Sequence, residues 1–238
     1  VTALAGIRNP KPDVLAELAF TYQLAGHAEE AARTYARAAD LLPNDLNMQL
    51  STAQAYVTIT SFDRANTFLN RAAKLNPNYY RLHAIRASIA QVQDHNEVAV
   101  TEYKAAIANL PPDPAEGPLY GIQLHMDLTH LYRSLDEPEQ ARSELATAQT
   151  LISGINEQDV DRASFFRLRA TIHYEAGENV EAMADVQQSL AIKPNDANTL
   201  QLKGDVLVKL DRTAEAVAIF QQVLKIDPLS RFALTSLG

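Results

Sequence analysis

Residues 197–230, ANTLQLKGDVLVKLDRTAEAVAIFQQVLKIDPLS, decide the architecture. They hold two amphipathic runs separated by a charged turn and closed by Asp227-Pro228. The first run carries Leu200, Gly204 and Leu207, and the second Ala216, Phe220, Val223 and Ile226, both at near-helical spacing. Neither helix can bury its apolar stripe alone, but stacked copies can.

The same pattern recurs along the chain. Pro43 and Pro77 stand 34 residues apart, as do Pro77 and Pro111, and Pro194 and Pro228. Proline breaks a helix interior, so a recurring proline marks a recurring boundary. Between these boundaries Ala19, Ala53, Ala87, Thr129, Ala170 and Gly204 share one slot, and Ala31, Ala65, Ala99, Ala141, Ala182 and Ala216 share another. Large residues alternate with them: Tyr35, Leu69, Tyr103, Leu145, Val186 and Phe220. Small residues let two helices approach and large ones fill the space beside them. Gly26 and Gly177, with Asp94, Asp136 and Asp211 in the same slot, mark the turn inside each pair.

The period of 34, the small residue eight in, the aromatics Tyr22, Tyr56 and Tyr132, the alanine twenty in and the proline thirty-two in together resemble the tetratricopeptide repeat. The copies span 12–45, 46–79, 80–113, 122–155, 163–196 and 197–230, and 231–238 reads as the start of another. Ser153 replaces the proline of the fourth copy, Gln49 and Arg86 occupy usually apolar slots, and Ala90 stands where an aromatic is expected. The resemblance implies an all-α fold: a single αα-solenoid over 1–238, wound as a right-handed superhelix with first helices lining its concave side.

The register breaks once, between Pro111 and Pro194. The surplus divides into 114–121 and 156–162, flanking an enlarged fourth hairpin. Pro118 can open a helix, and NEQDVDR can lengthen a neighbouring helix by a turn, so a hairpin protruding beyond its neighbours is expected. Residues 1–11 resemble the end of a preceding repeat, and 231–238 stop after half a helix without a polar cap. The C-terminal end is therefore expected to continue in a longer protein, while 1–11 read equally as a frayed tail or as the cut end of a longer array.

The net charge of −8 argues against a nucleic-acid or anionic-membrane surface. Residues 1–113 carry 10 basic and 11 acidic side chains, against 11 and 18 in 114–238. There is no cysteine, so neither a disulfide framework nor a thiolate metal site is available. No apolar run reaches membrane-spanning length, and nothing in the chain is expected to be membrane-embedded. His27 and His95 fall in turns, while His83 and His125 share an inter-helix slot with Leu15, Phe166 and Leu200. His125 and His130 are wrongly spaced for one helical face. No hydrolase, metalloprotease, phosphate-binding or calcium-loop motif is present. The reading is therefore no enzyme, no metal and no cofactor.

First-helix surface slots suggest where a protein or peptide partner binds. They bring Arg81 and Gln91 in the third repeat, Met126, His130 and Arg133 in the fourth, and Arg167, Thr171 and Tyr174 in the fifth along one wall. Three arginines there favour an extended segment with acidic residues, with Met126 and Tyr174 supplying apolar area. The competing expectation is that acids of the same array, Asp127 and Glu175 first, answer these arginines. The repeats that clamp chaperone carboxyl termini are not matched: Ala16, Phe20, Ser51, Arg81 and Ile85 occupy the clamp slots, and only Arg81 suits one. The expected role is a protein-binding scaffold, a segment of a larger assembly or export factor. By analogy, bacterial polysaccharide-export systems carry such arrays, and the compartment stays open between periplasm and cytoplasm. The alternative is a regulatory repeat region of an enzyme whose catalytic domain lies outside this chain.

Overall fold

The structure is a computed structural model; it describes residues 11–114, 117–227 and 230–237. The end-of-repeat reading of residues 1–10, part of the first inserted segment (115–116), Pro228 and Gly238 lie outside these. Thirteen helices and no strand occur among the described residues. The chain divides into two compact units, Val1–Pro111 and Pro112–Gly238, parting where the 34-residue period breaks.

In the first unit the helices are α1 (Pro12–Leu24), α2 (Ala28–Leu41), α3 (Leu46–Thr58), α4 (Phe62–Leu75), α5 (Tyr80–Val92) and α6 (Asn96–Ala108). In the second they are α7 (Leu119–Ser134), α8 (Pro138–Ser153), α9 (Arg162–Ala176), α10 (Asn179–Ile192), α11 (Ala197–Lys209), α12 (Thr213–Ile226) and α13 (Arg231–Leu237). Within each unit the two helices of a hairpin pack most heavily on one another and then on the adjacent pair, as in an αα-solenoid. First helices also touch one another: α3 meets α5, and α9 meets both α7 and α11.

All six inter-helix turns use one device. At the first, the Gly26 amide donates to the Gln23 carbonyl and the His27 amide reaches back to the Tyr22 carbonyl. This pair of bonds satisfies carbonyls that the helix end leaves open, and it requires a left-handed residue between them. Gly26 (φ 78°), Thr60 (55°), Asp94 (58°), Asp136 (57°), Gly177 (83°) and Asp211 (58°) occupy that position. The next residue already starts the second helix, its carbonyl accepting four residues on, as His27 does from Ala31. His27 and His95 are accordingly exposed.

The two alanine slots are buried in every copy. Ala19, Ala53, Ala87, Thr129 and Ala170 have no exposed surface, and Ala31, Ala65, Ala99, Ala141, Ala182 and Ala216 almost none. In the last full copy the large residue fills the place of a missing β-carbon. Phe220 lies flat over Gly204, where a β-carbon would come within 2.2 Å of its Cε1. In the preceding copy the same two slots hold Ala170 and Val186.

Polar residues in apolar slots bond to neighbouring elements. Gln49 is fully buried, and its Nε2 donates to the carbonyls of Ala39 and Leu42 at 3.0 Å each, closing the end of α2. His83 and His125 are half-buried, and each bonds through Nδ1 to a glutamate nineteen residues on, Glu102 and Glu144, at 2.6 Å. These pairs tie the two helices of their hairpins together. Asp185 is buried and accepts both arms of Arg169 at 2.7 Å. That bidentate bond raises the Arg169 pKa above its ordinary value.

The enlarged hairpin differs from its neighbours at one end. α7 begins at Leu119, three residues before the period would place it, and both α7 and α8 reach 16 residues against 13–14 in most others. The second inserted segment does not extend a helix as expected; residues 154–161 form a turn. Side chains there compete with the helix for backbone donors. Asn156 accepts from the Gln158 amide at 3.2 Å, and Asp161 caps α9 by accepting from the Ser164 amide at 3.3 Å and its hydroxyl at 2.6 Å. Ion pairs from Lys193 to Asp161 and from Arg162 to Glu157 clamp the turn.

The apolar interior forms separate clusters rather than one core. In the first unit one cluster joins α2, α3, α4 and α5 around Leu50, Phe68, Leu69 and Leu82. In the second, one joins α7, α8 and α9 around Ile122, Met126, Phe165 and Ile172, and another joins α10 to α13 around Leu200, Leu207 and Phe220.

Candidate partner-binding wall

The candidate residues divide between the units. Arg81 and Gln91 sit on α5 of the first. Arg81 is half-buried and already engaged, and Gln91 accepts from the Tyr103 hydroxyl at 3.1 Å. The other six belong to α7 and α9 of the second unit, whose first helices α7, α9 and α11 lie side by side.

Met126 is not on this wall. It has no exposed surface and sits in the cluster with Ile122, Phe165 and Phe166. The start of α9 closes over it, so it contributes to the core and offers no apolar contact to a partner.

Arg133 is answered from within. Its guanidinium pairs with the Glu175 carboxylate and also donates to the Glu175 carbonyl at 2.7 Å. The same carboxylate lies 3.2 Å from His130 Nε2. Glu175 is only 11% exposed, so this pair is fixed rather than fluctuating at the surface. Asp127, the other acid expected to answer an arginine, instead accepts from Gln123 Nε2 at 2.9 Å. Burial raises the Asp127 pKa, opposed by the Gln123 bond and the charge of His130. Burial lowers that of His130, with Asp127 pulling it up and Arg133 pushing it further down.

Thr171 is half-buried, its hydroxyl bonded back to the Arg167 carbonyl at 3.0 Å. Tyr174 is half-buried too. Its phenol pKa is raised first by burial and then by the charge of Asp205, with Arg133 opposing. Asp205 on α11 has a raised pKa from burial, and Gln201 donates to it at 3.1 Å. Arg167 stands apart: half-buried, it has no carboxylate partner among the described residues.

The wall therefore carries mixed charge, not three free arginines. Arg133, Tyr174, Glu175 and Lys209 surround a recess of about 440 Å³ where α7, α9 and α11 meet. Arg167 borders a separate cavity of about 450 Å³ with Gln123 and the inserted segments. Lys209 follows Val208 on α11, and no periodicity marks it as facing Tyr174. Among the described residues no three His, Asp or Glu side chains converge as a metal site would need. No described helix is long and apolar enough to cross a membrane.

Residues 173–236 match the family model of the tetratricopeptide repeat. No curated protein matches the chain. Among solved structures it is similar to a chain of the APC/C hetero-tetramer Cut9-Hcn1, with TM-score 0.66 and 17% identity over 97% of this chain and 43% of that one. It is similar to a tetratricopeptide repeat protein from Parabacteroides merdae, with TM-score 0.64 and 17% identity over 95% and 82% of the two chains. A third is PilW, described as a widely conserved type IV pilus biogenesis factor, at TM-score 0.58 and 15% identity over 95% and 98%. The chain thus spans less than half the length of the Cut9-Hcn1 chain it matches. At these identities the likeness is one of fold.

Proposed function

We propose that this array, which matches the tetratricopeptide-repeat model over 173–236 and shares that fold, is a protein-binding scaffold, not an enzyme, and that it receives a partner on the wall formed by α7, α9 and α11. The observation that supports this most directly is the recess of about 440 Å³, to which all three first helices contribute Arg133, Tyr174, Glu175 and Lys209. Tyr174 supplies an aromatic with a polar tip, the kind of side chain that anchors interfaces. Asp205 and Lys209 bring opposite charges to α11, which suits a partner of mixed charge better than an acidic one. Arg81 and Gln91, on α5 of the first unit, are not part of this proposal. His130 and Arg133 serve the wall by fixing Glu175, and Thr171 extends it along α9, while Arg167 borders the separate cavity.

A place in a larger assembly or export apparatus is the finer form of this reading. The fold similarity to PilW, a pilus biogenesis factor, supports it without naming a partner. The test is to identify a partner by crosslinking in the source organism, then measure its binding by calorimetry to the wild type and to Tyr174→Ala and Thr171→Lys. With folding verified by circular dichroism, affinity should fall at least tenfold. Affinity unchanged within twofold in both variants rejects this wall.

A further inference from the structure

We propose that the cavity at the base of the α7–α8 hairpin is a docking pocket for one acidic side chain of a protein partner, flanked in that partner by apolar residues and not by further acids. It rests on the scaffold reading but uses a different surface. Residues 117–120 and 159–161, which belong to the segments that break the 34-residue period, line the cavity.

The cavity measures about 450 Å³. Leu119, Val160 and Leu168 give it an apolar lining, and Arg167 supplies a guanidinium. That guanidinium differs from the other arginines described in its unit. Arg133, Arg142, Arg162, Arg169 and Arg212 each pair with a carboxylate of this chain. Arg167 does not, among the described residues, although residues 114–238 hold 18 acids. A half-buried guanidinium has lost part of its hydration, and its planar fork suits two parallel bonds to a carboxylate.

Two of the nearby acids, Asp127 and Asp161, are committed elsewhere. Asp127 is held by Gln123. Asp161 lines the cavity but is held by Lys193 at 2.8 Å and by the Ser164 hydroxyl at 2.6 Å, and these bonds keep its pKa below the usual carboxylate range. No carboxylate among the described residues bonds to Arg167, and an acid of the partner can take that place. Asp159 and Asp161 on the same lining set the limit on that guest. One carboxylate can face Arg167, whereas adjacent acids would meet like charge.

The test is a titration of the full chain, followed through its backbone amide resonances, with three probe peptides: acetyl-Leu-Glu-Leu-amide, acetyl-Leu-Gln-Leu-amide and acetyl-Glu-Glu-Glu-amide. The first should produce saturable shifts confined to residues 117–123 and 159–168. The second and third should bind at least fivefold more weakly. Arg167→Gln should abolish the response to the first, and Arg167→Lys should weaken it only in part, with the remaining spectrum unchanged to show an intact fold. Asp159→Asn should strengthen binding of the triple glutamate. Equal binding of the Glu and Gln peptides, or no saturable shift, overturns the pocket. Shifts confined to the Tyr174 recess also overturn it, while leaving the scaffold reading in place.

Discussion

At the scale of single residues the packing is a matched set of volumes. Gly204 is permitted no β-carbon because Phe220 occupies its place. Gly204→Ala is expected to cost about 1–3 kcal/mol through overpacking, despite the higher helix propensity of alanine. Phe220→Val in the same chain recreates the Ala170–Val186 pairing of the preceding copy and should recover part of that loss. Urea denaturation of both single variants and the double variant checks this; simple additivity would show that the two slots do not share space. The wall offers a second residue-scale test. The Asp127 pKa is raised by burial, so folding favours its protonated form. Its penalty is absent below the ordinary carboxylate pKa and complete once pH has risen past the folded value. Asp127→Asn keeps an acceptor for Gln123, and its stability gain over wild type should grow as pH rises through that window. His130 runs the other way: with a lowered pKa, it resists protonation when folded, and stability falls as pH drops through the ordinary histidine range. Thermal melts of Asp127→Asn and wild type from acid to neutral pH check the first sign, and a His130→Gln variant checks the second.

At the scale of the element, the six turns show how far sequence reaches. Glycine and aspartate announce five of the left-handed positions because both tolerate positive φ. Thr60 does not, since a β-branched residue argues against that conformation, yet it sits at φ 55°. Thr60→Gly should therefore stabilise the protein, by up to about 1 kcal/mol after the added freedom of glycine in the unfolded chain is counted. An unchanged chemical midpoint would mean that the threonine is unstrained. The inserted turn was misread for a different reason. NEQDVDR contains no glycine or proline, but Asn156 and Asp161 bond to local amides and end the helical run. The wall was legible only in part. Slot position located Tyr174 and Thr171, but the burial of Met126 depends on where α9 begins. The pairing of Arg133 with Glu175, 42 residues apart, was one of two expectations the sequence left open, and the packing of α7 on α9 decides it.

For the whole molecule, the interior is a set of neighbouring clusters within each unit. Stability should then be a sum over adjacent pairs rather than the property of one core. Amide exchange is expected to be slowest in α3–α5 and α9–α11, which have helices of their own unit on both sides. It should be faster in α1 and in α12–α13. Uniform protection across each unit would count against a nearest-neighbour description. The fold was legible because its evidence is repeated: one copy is a weak signal, while recurring small residues and prolines at a fixed interval are not reproduced by chance.

The turns also make the chain editable. Each hairpin is entered through a residue such as Asp45, which accepts from the Met48 amide at 2.9 Å, and is left near the following boundary at Tyr79. Excising residues 46–79 would splice Asp45 directly to Tyr80, the first residue of another helix, with Leu82 arriving where Met48 had donated. Ala87 would replace Ala53 at the same depth. A protein shortened by this one period should still fold, with helical signal reduced in proportion. Excising 34 residues from a start within a helix, such as 53–86, should be tolerated less well, because the splice then joins side chains chosen for different neighbours. Length, in such a chain, is a quantity counted in whole hairpins.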